Sequence, residues 1–258
     1  MAEINLAVRL SALKMPFRRA IHAAAKLGAS SIEIDARQEI HPAQMSETGL
    51  RQLRKILEDL NLRVSSLRFQ TRRGYDHLED LDRRVDATKE TMKLAYRLGT
   101  AVVVNAIGHV PHEQSDPRWV TLQQVMNDLG RYGAKVGAFL CAETGSEDGK
   151  TLSELLNSQE DAFVGVAFNP GQLVVNRFSA AEAMDELKDR IQIVYAVDGV
   201  LDLAAGRGVA TPLGLGSVDF PELLGKLEDQ HYRGRFVVGR ADSNQEEIAQ
   251  AIQYLREL

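Results

Sequence analysis

Short apolar segments with the length of strands alternate with helical segments along the whole chain, and this repeat restricts the fold more than any other feature. We predict strands at residues 4–10, 31–35, 63–69, 101–105, 138–144, 164–168, 191–197 and 235–239. Between them, Leu50, Leu53 and Leu57 lie on one face of a helix capped by Ser46, and the following helix is predicted to bury Leu78. Apolar strands joined by helices are typical of a parallel sheet that is covered on both faces.

Eight strand-and-helix units in 258 residues predict an α/β fold, a single (βα)8 TIM barrel that spans residues 1–258. No break in composition, Pro-rich linker or low-complexity stretch indicates a second domain. The alternative is an open, doubly wound sheet, and we prefer the barrel because it needs no unexplained insertion. Residues 199–216 are interpreted as a long loop before the seventh helix, at 220–227.

Composition argues against several classes of function. The net charge of −5 gives no electrostatic reason to expect nucleic-acid binding, which usually needs clustered Lys and Arg. No apolar run approaches the roughly 20 residues that span a bilayer. The first residues lack the basic and apolar regions of a signal peptide, and the one cysteine, Cys141, excludes an internal disulfide. We therefore expect a cytoplasmic protein with no nucleic-acid or membrane partner.

Polar residues stand where predicted strands end. Glu143 ends the fifth strand, Asn169 follows the sixth, and Asp198 follows the seventh. Because ligands gather at the carboxyl ends of parallel strands, we expect these residues and Tyr195 at the C-terminal mouth of the barrel. Cys141 precedes Glu143 by two residues on the same face and is expected to be a buried, inert thiol, since a reactive thiolate needs a base or a cation nearby.

Five segments carry a resemblance to a known group of proteins. They are Ser31-Ile-Glu-Ile-Asp35, Cys141-Ala-Glu-Thr144, Phe168-Asn-Pro-Gly-Gln172, Val194-Tyr-Ala-Val-Asp198 and Leu213-Gly-Leu-Gly-Ser-Val-Asp-Phe220. With them the chain resembles, nearly end to end, the xylose isomerase-like TIM barrel superfamily, whose sugar phosphate isomerase and epimerase group is related to apurinic-site endonucleases. The resemblance implies a site at the C-terminal mouth, where the epimerases hold one divalent metal that polarises a ketose carbonyl between two carboxylates.

The chain departs from this family at the metal-ligand positions. Glu143 matches the glutamate ligand of the fifth strand, but Asn169, Tyr195 and Gly239 stand where the resemblance implies aspartate, histidine and glutamate. Hard cations prefer several charged oxygens, and transition metals prefer imidazole together with carboxylate. We therefore predict no metal and no other cofactor. His109 and His112, after the fourth strand, would be the ligands of a relocated metal, although a solvent-facing loop is the favoured interpretation.

Two further positions differ from the family, because Gln172 and Asn105 stand where histidines occur in some members. Both are neutral hydrogen-bonding side chains, as are Asn169 and Tyr195, and such groups can face a polar ligand. We predict that the mouth binds a sugar, a sugar phosphate or a related small polar molecule. The alternative is that these side chains pair with one another and with Glu143, closing the barrel without a ligand.

Three functional hypotheses follow. The first is binding without turnover. In the second, Glu143 is the catalytic base of an isomerase or epimerase that uses a relocated metal or none, which requires a raised pKa and donors for the enediolate oxygen. The third is a non-catalytic scaffold or enzyme partner. The predicted substrate-binding residues are Asn105, Asn169, Gln172, Tyr195, Asp198, Arg68, Arg207 and Arg240.

Arginines near the predicted strand ends would draw an anion to the mouth, unless they are surface residues with no shared role. They are Arg37, Arg68, Arg72, Arg73, Arg207 and Arg240. An unpaired buried carboxylate is costly, so Glu143 should be protonated or paired with an arginine. Arg240 is the first candidate because it adjoins Gly239, although strand alternation would turn it outward. Arg68 and Arg207 are the alternatives.

Overall fold

The structure is a computed structural model that describes residues 4–159, 161–202 and 207–258, with the side chain of Arg207 outside the description. Eight parallel strands form a closed barrel in which the last strand pairs with the first, so that Leu6 lies opposite Phe236. The barrel strands are β1 (Leu6–Arg9), β2 (Ser31–Asp35), β3 (Arg63–Arg68), β4 (Val102–Asn105), β5 (Phe139–Glu143), β6 (Gly165–Phe168), β7 (Ile191–Ala196) and β10 (Arg235–Val238). The prediction of a (βα)8 barrel is confirmed, and the open sheet is wrong.

Helices follow the barrel strands. They are α1 (Phe17–Lys26), α2 (Glu47–Asp59), α3 (Leu81–Arg97), α4 (Pro117–Val136), α5 (Gly149–Asn157), α6 (Pro170–Val175), α7 (Ala180–Leu187), α8 (Phe220–Asp229) and α9 (Gln245–Glu257). Local sequence sets several of their starts: the Ser46 hydroxyl accepts a hydrogen bond from the Gly49 amide, and the Asn169 side chain caps α6. None of the helices in the described residues has the length and apolar character needed to cross a membrane.

Two local interpretations are corrected. Residues 199–216 are not one long loop, because β8 (Asp198–Asp202) pairs with β9 (Arg207–Thr211) in an antiparallel hairpin. A glycine-containing strand gives a weak sequence signal, and here the glycine is needed for packing: a Cβ on Gly208 would lie 2.3 Å from the Cα of Val175 on α6. In addition, α3 begins at Leu81, so Leu78 precedes the helix and is 73% exposed.

The core has two layers that follow from strand alternation. Outward residues such as Ile32 and Leu67 pack under the helices. The inward residues form a separate apolar cluster inside the barrel: Ala7, Val104, Cys141, Ala167, Ile193, Tyr195, Val197 and Val237. Cys141 is fully buried there and burial raises the pKa of its thiol, as expected for an inert cysteine. The residues two positions further along these strands therefore face the barrel axis near its mouth.

Candidate functional site

Inward side chains at the carboxyl ends of six barrel strands form one connected polar network above the apolar cluster. The network consists of Arg9 (β1), Glu33 (β2), Ser66 and Arg68 (β3), Glu143 (β5), Asn169 (after β6) and Tyr195 (β7). Its two arginines and two glutamates balance in charge. Because the members come from six different strands, barrel closure brings the network together.

Glu143 is held by two donors. Arg68 Nη2 donates to Glu143 Oε2 at 2.6 Å, Asn169 Nδ2 donates to Oε1 at 2.9 Å, and the Arg68 and Glu143 side chains are each 9% exposed. Burial alone would raise the pKa of Glu143, but the charge and hydrogen bond of Arg68 hold that pKa below its ordinary value. The expectation that an arginine neutralises Glu143 is confirmed, and the arginine is Arg68.

Arg240 does not pair with Glu143, so the first-choice partner was wrong. Its Nε and Nη2 atoms donate to the two carboxylate oxygens of Glu247 on α9, at 2.7 and 3.0 Å. The reason is strand alternation. Val237 faces the barrel interior, so Gly239 also faces inward, and Arg240 therefore points outward toward the helices. The Arg207 side chain, the other alternative, lies outside the described residues.

The second half of the network is centred on Glu33, which is fully buried. Arg9 Nε donates to Glu33 Oε1 at 2.8 Å, and the Tyr195 hydroxyl donates to Oε2 at 2.7 Å. Ser66 also donates to Oε2, at 3.0 Å, and Arg68 Nη1 donates to the Tyr195 oxygen at 3.0 Å. Burial and then the Glu33 charge raise the pKa of Tyr195, so the phenol stays neutral and links the two ion pairs.

Arg9 has the one buried donor of this network that lacks a hydrogen-bond partner among the described residues. Its guanidinium carbon lies 4.7 Å from the centroid of the Tyr195 ring, and its side chain is 11% exposed. The Nη2 atom is buried and has no partner within the described part of the chain. Buried donors are nearly always satisfied in folded proteins, so this atom indicates a place where an external acceptor would be favourable.

The donor set does not fit the divalent cation that the family resemblance implies. Both Glu143 oxygens are engaged, and the adjacent Arg68 guanidinium would repel a cation. Asn169 caps α6 through its oxygen, and Tyr195 is a neutral phenol. Within the described ranges, no three His, Cys, Asp or Glu side chains are grouped so that they could hold a metal.

We expect elemental analysis of protein purified without chelators to find no stoichiometric manganese, zinc, magnesium or cobalt. Incubation with EDTA should leave the melting temperature unchanged, because Arg68 already supplies the positive charge beside Glu143. A stoichiometric ion whose removal lowers the melting temperature would contradict this prediction.

Two of the predicted substrate-binding residues are hydrogen-bonded to other parts of the protein. The Asn105 side chain lies on the outward side of β4. Its Nδ2 donates to the Tyr75 hydroxyl at 2.8 Å, and its Oδ1 accepts from the Thr71 amide at 3.2 Å. The Asp198 carboxylate accepts four backbone N–H groups, from Gly199, Gly214, Gly216 and Val218, at 2.8 to 3.1 Å. Both residues hold loops in place, so neither belongs to the polar network.

The remaining candidates lie at the rim of the mouth. Gln172 is exposed on α6, and its side-chain amide makes no hydrogen bond among the described residues. Arg37 donates to the Gln70 carbonyl oxygen at 2.9 Å, and Arg73 pairs with Glu79. Arg72 is exposed and has no ion-pair partner within the described ranges. Of the candidate arginines whose side chains the structure describes, Arg68 is the one that enters the network.

The two loop histidines do not converge on a shared point. His109 Nδ1 is 3.0 Å from the Ser146 carbonyl oxygen, whereas His112 Nδ1 is 2.9 Å from the Thr151 hydroxyl. A relocated metal site built from them is therefore not supported.

Sequence reasoning missed Arg9, Glu33 and Ser66. A signal was present for Glu33, which stands between Ile32 and Ile34 in a predicted strand, because a charge flanked by outward-facing apolar residues must point into the barrel. Arg9 comes two residues after Ala7 and follows the same alternation.

Comparisons with known proteins agree with this architecture. A xylose isomerase domain protein from Planctomyces limnophilus is 20% identical, with 98% of this chain and 96% of that chain covered and a TM-score of 0.86. A xylose isomerase-like TIM barrel protein from Mycobacterium smegmatis, solved with magnesium, is 17% identical at 98% and 96% coverage, with a TM-score of 0.77. D-allulose 3-epimerase from Methylomonas sp., solved with D-allulose, is 17% identical at 98% and 96% coverage, with a TM-score of 0.76.

Identities this low show the shared fold alone. A search of curated protein sequences finds no significant match. The family model described as xylose isomerase-like TIM barrel, however, matches residues 21–258, which is most of the chain. The chain therefore belongs to the xylose isomerase-like TIM barrel family.

Proposed function

We propose that the C-terminal mouth of this barrel binds a small, oxygen-rich molecule of the sugar or sugar phosphate class without a resident metal ion. The observation that carries the proposal is the buried Arg9 Nη2 atom, which has no acceptor within the described residues. Hydroxyl, carbonyl and phosphate oxygens are suitable acceptors for such a donor. Known structures of the same fold include an epimerase that holds D-allulose, which supports this ligand class.

The alternative of a barrel closed by its own side chains accounts for much of the network, because Glu143, Asn169 and Tyr195 are paired internally. It leaves two features without a role. The first is the Arg9 donor inside the barrel, and the second is the amide of Gln172 at the rim. Both favour an external polar molecule.

The geometry does not favour Glu143 as a catalytic base. A base at neutral pH works best when its pKa lies near 7, whereas Arg68 lowers the pKa of Glu143. Both carboxylate oxygens also already accept hydrogen bonds. We assign Glu143 the role of orienting Arg68 and Asn169.

Replacing Arg9 by Lys should weaken binding of a mouth ligand. Lysine keeps the positive charge beside Glu33 but removes the Nη2 donor, and a hydrogen bond from a charged group contributes about 1.5 to 3 kcal/mol. We therefore expect an increase in Kd of about 10- to 100-fold. Calorimetric titration with D-allulose, D-fructose 6-phosphate and D-gluconate measures it.

The matched control is Arg118→Lys, which alters an arginine at the start of α4 whose side-chain hydrogen bonds go to Asp116 and not to the network. Its Kd values should equal those of the unmodified protein. Failure of the unmodified protein to bind any of the three probes would refute the proposed function and favour a scaffold role. Equal Kd values for Arg9→Lys and the control would remove Arg9 from the site.

A further inference from the structure

The loop after β2 places a second glutamate at the mouth. The amides of Glu39 and Ile40 donate to the Asp35 carbonyl oxygen at 3.0 and 3.1 Å, so the chain turns back on itself directly after the strand. The Glu39 side chain returns to the same residue, and its Oε2 accepts a hydrogen bond from the Asp35 amide at 2.7 Å. The carboxyl group is thereby held against the carboxyl end of β2.

The position of this carboxyl group follows from the register of β1 and β2. The last pair between these strands is Arg9 with Glu33, after which the chain leaves β1 in a short helical turn, Leu10–Leu13. The Asp35 amide therefore extends past the end of β1, and Glu39 accepts its hydrogen bond in place of a strand carbonyl. One strand residue advances about 3.3 Å, so Glu39 lies beyond the Arg9–Glu33 pair on the mouth side.

The second oxygen of Glu39 has no partner among the described residues. No hydrogen bond or ion pair involves Glu39 Oε1 in the part of the chain that the structure describes, and the residue is half-buried rather than enclosed. The charged groups that act on Glu39 are the carboxylates of Asp35 and Glu33 on β2, while Arg9 on β1 is committed to Glu33.

The protonation behaviour of Glu39 differs from that of Glu143. Burial, followed by the nearby Asp35 and Glu33 charges, raises the pKa of Glu39 to about 7, and the hydrogen bond from the Asp35 amide opposes part of this rise. A carboxyl group with this pKa can both accept and return a proton at neutral pH. Glu143, which is neutralised by Arg68, cannot do so.

We propose that Glu39 is a catalytic acid–base residue that exchanges a proton with the molecule bound at the mouth. The inference rests on the proposed function, since it requires a bound ketose or related carbonyl compound. Glu39 Oε1 takes the proton from the C–H group next to the carbonyl, and the C–H electron pair becomes the C=C bond of an enediolate. The negative charge on the former carbonyl oxygen is stabilised by the Arg9 Nη2 donor, and return of the proton from Glu39 to carbon restores the carbonyl.

The experiment is proton exchange into deuterated solvent. The protein is incubated in D2O with D-allulose and separately with D-fructose 6-phosphate, and proton NMR follows the signals of the C–H groups next to the carbonyl. We expect their loss to be faster than in buffer and the rate to rise with pH, with a midpoint near 7 that reflects ionisation of Glu39. In Glu39→Gln the exchange rate should fall at least 100-fold while Kd changes less than threefold.

Glutamine retains an oxygen that can accept the Asp35 hydrogen bond, so a purely structural role of Glu39 would leave the exchange rate and its pH profile unchanged. The control is Glu90→Gln, an exposed acid on α3 that pairs with Lys93, and its exchange rate should match that of the unmodified protein. Binding without exchange, or undiminished exchange in Glu39→Gln, would overturn the assignment of Glu39 and leave the proposed binding function intact. Absence of binding would overturn both.

Discussion

Replacing Glu143 by Gln will lower the free energy of unfolding by about 3 kcal/mol at pH 7, because it leaves the buried Arg68 guanidinium without its anion. The hydrogen bond to Arg68 can survive in the amide, but the charge that offsets desolvation cannot. Urea denaturation of both proteins measures the difference.

The pH dependence of this difference follows from the direction of the pKa shift. Arg68 lowers the pKa of Glu143 in the folded state, so the stabilisation is present above the ordinary pKa of 4.5 and is lost as pH falls through the folded value. The gap between Glu143→Gln and the unmodified protein should therefore narrow in acid. If the variant lost stability only because side chains repack, the difference in free energy of unfolding would not follow the titration of Glu143.

Glu247→Gln is the matched control, since it breaks the Arg240 pair, whose side chains are 21% and 18% exposed. Partial exposure reduces the value of an ion pair, and we expect a loss of about 1 kcal/mol or less. The double variant Arg68→Met, Glu143→Leu should lose less stability than the two single losses added together, because neither charge is left unpaired. An unchanged unfolding midpoint for Glu143→Gln would contradict the account of the network.

Replacing Glu147 by Gln will raise stability at alkaline pH. Glu147 is 2% exposed, its Oε2 accepts from the Val110 amide at 3.4 Å, and its Oε1 is buried with no partner in the described residues. Burial, and then the Asp148 and Asp76 charges, raise the pKa of Glu147 from 4.5 to about 8. The folded state thus penalises the ionised form, which glutamine removes.

The size and sign of the effect follow from linkage. Between pH 4.5 and about 8 the folded state binds more protons at Glu147 than the unfolded chain, so stability falls as pH rises through this range. The advantage of Glu147→Gln should grow across the same window and reach on the order of 4 kcal/mol at pH 9. Chemical denaturation at pH 5, 7 and 9 measures this change.

The neighbouring acid Asp148 provides a control, because replacing it by its amide should lower the free energy of unfolding where Glu147→Gln raises it. Its side chain caps α5 by accepting from the Thr151 amide at 2.9 Å, and hydrogen bonds from Thr151 outweigh partial burial to lower its pKa. Asp148→Asn should therefore lose stability at neutral pH by about 1 kcal/mol or less. A pH-independent difference between Glu147→Gln and the unmodified protein would show that Glu147 does not titrate in this range.

The strand-and-helix repeat by itself determined the barrel. Apolar strand segments and the periodicity of the helices between them are local properties of the sequence, and both are kept when the barrel closes. Local signals also located the helix cap at Ser46 and the strand ends that carry Glu143 and Asn169. The hairpin at Asp198–Thr211 escaped prediction because its pairing joins two weak, glycine-containing strands, neither of which is recognisable alone.

The pairing inside the barrel was decided by tertiary structure. Arg68 and Glu143 are 75 residues apart in sequence, and Glu33 and Tyr195 are 162 apart, so no local pattern joins them. The sequence favoured Arg240 because it adjoins an inward position. Consecutive strand residues point to opposite faces, however, so Arg240 faces outward and pairs with Glu247, whereas Arg68 faces the barrel axis and pairs with Glu143. Which charges neutralise one another depends on which inward positions share a layer, and only the closed barrel brings them to the same height.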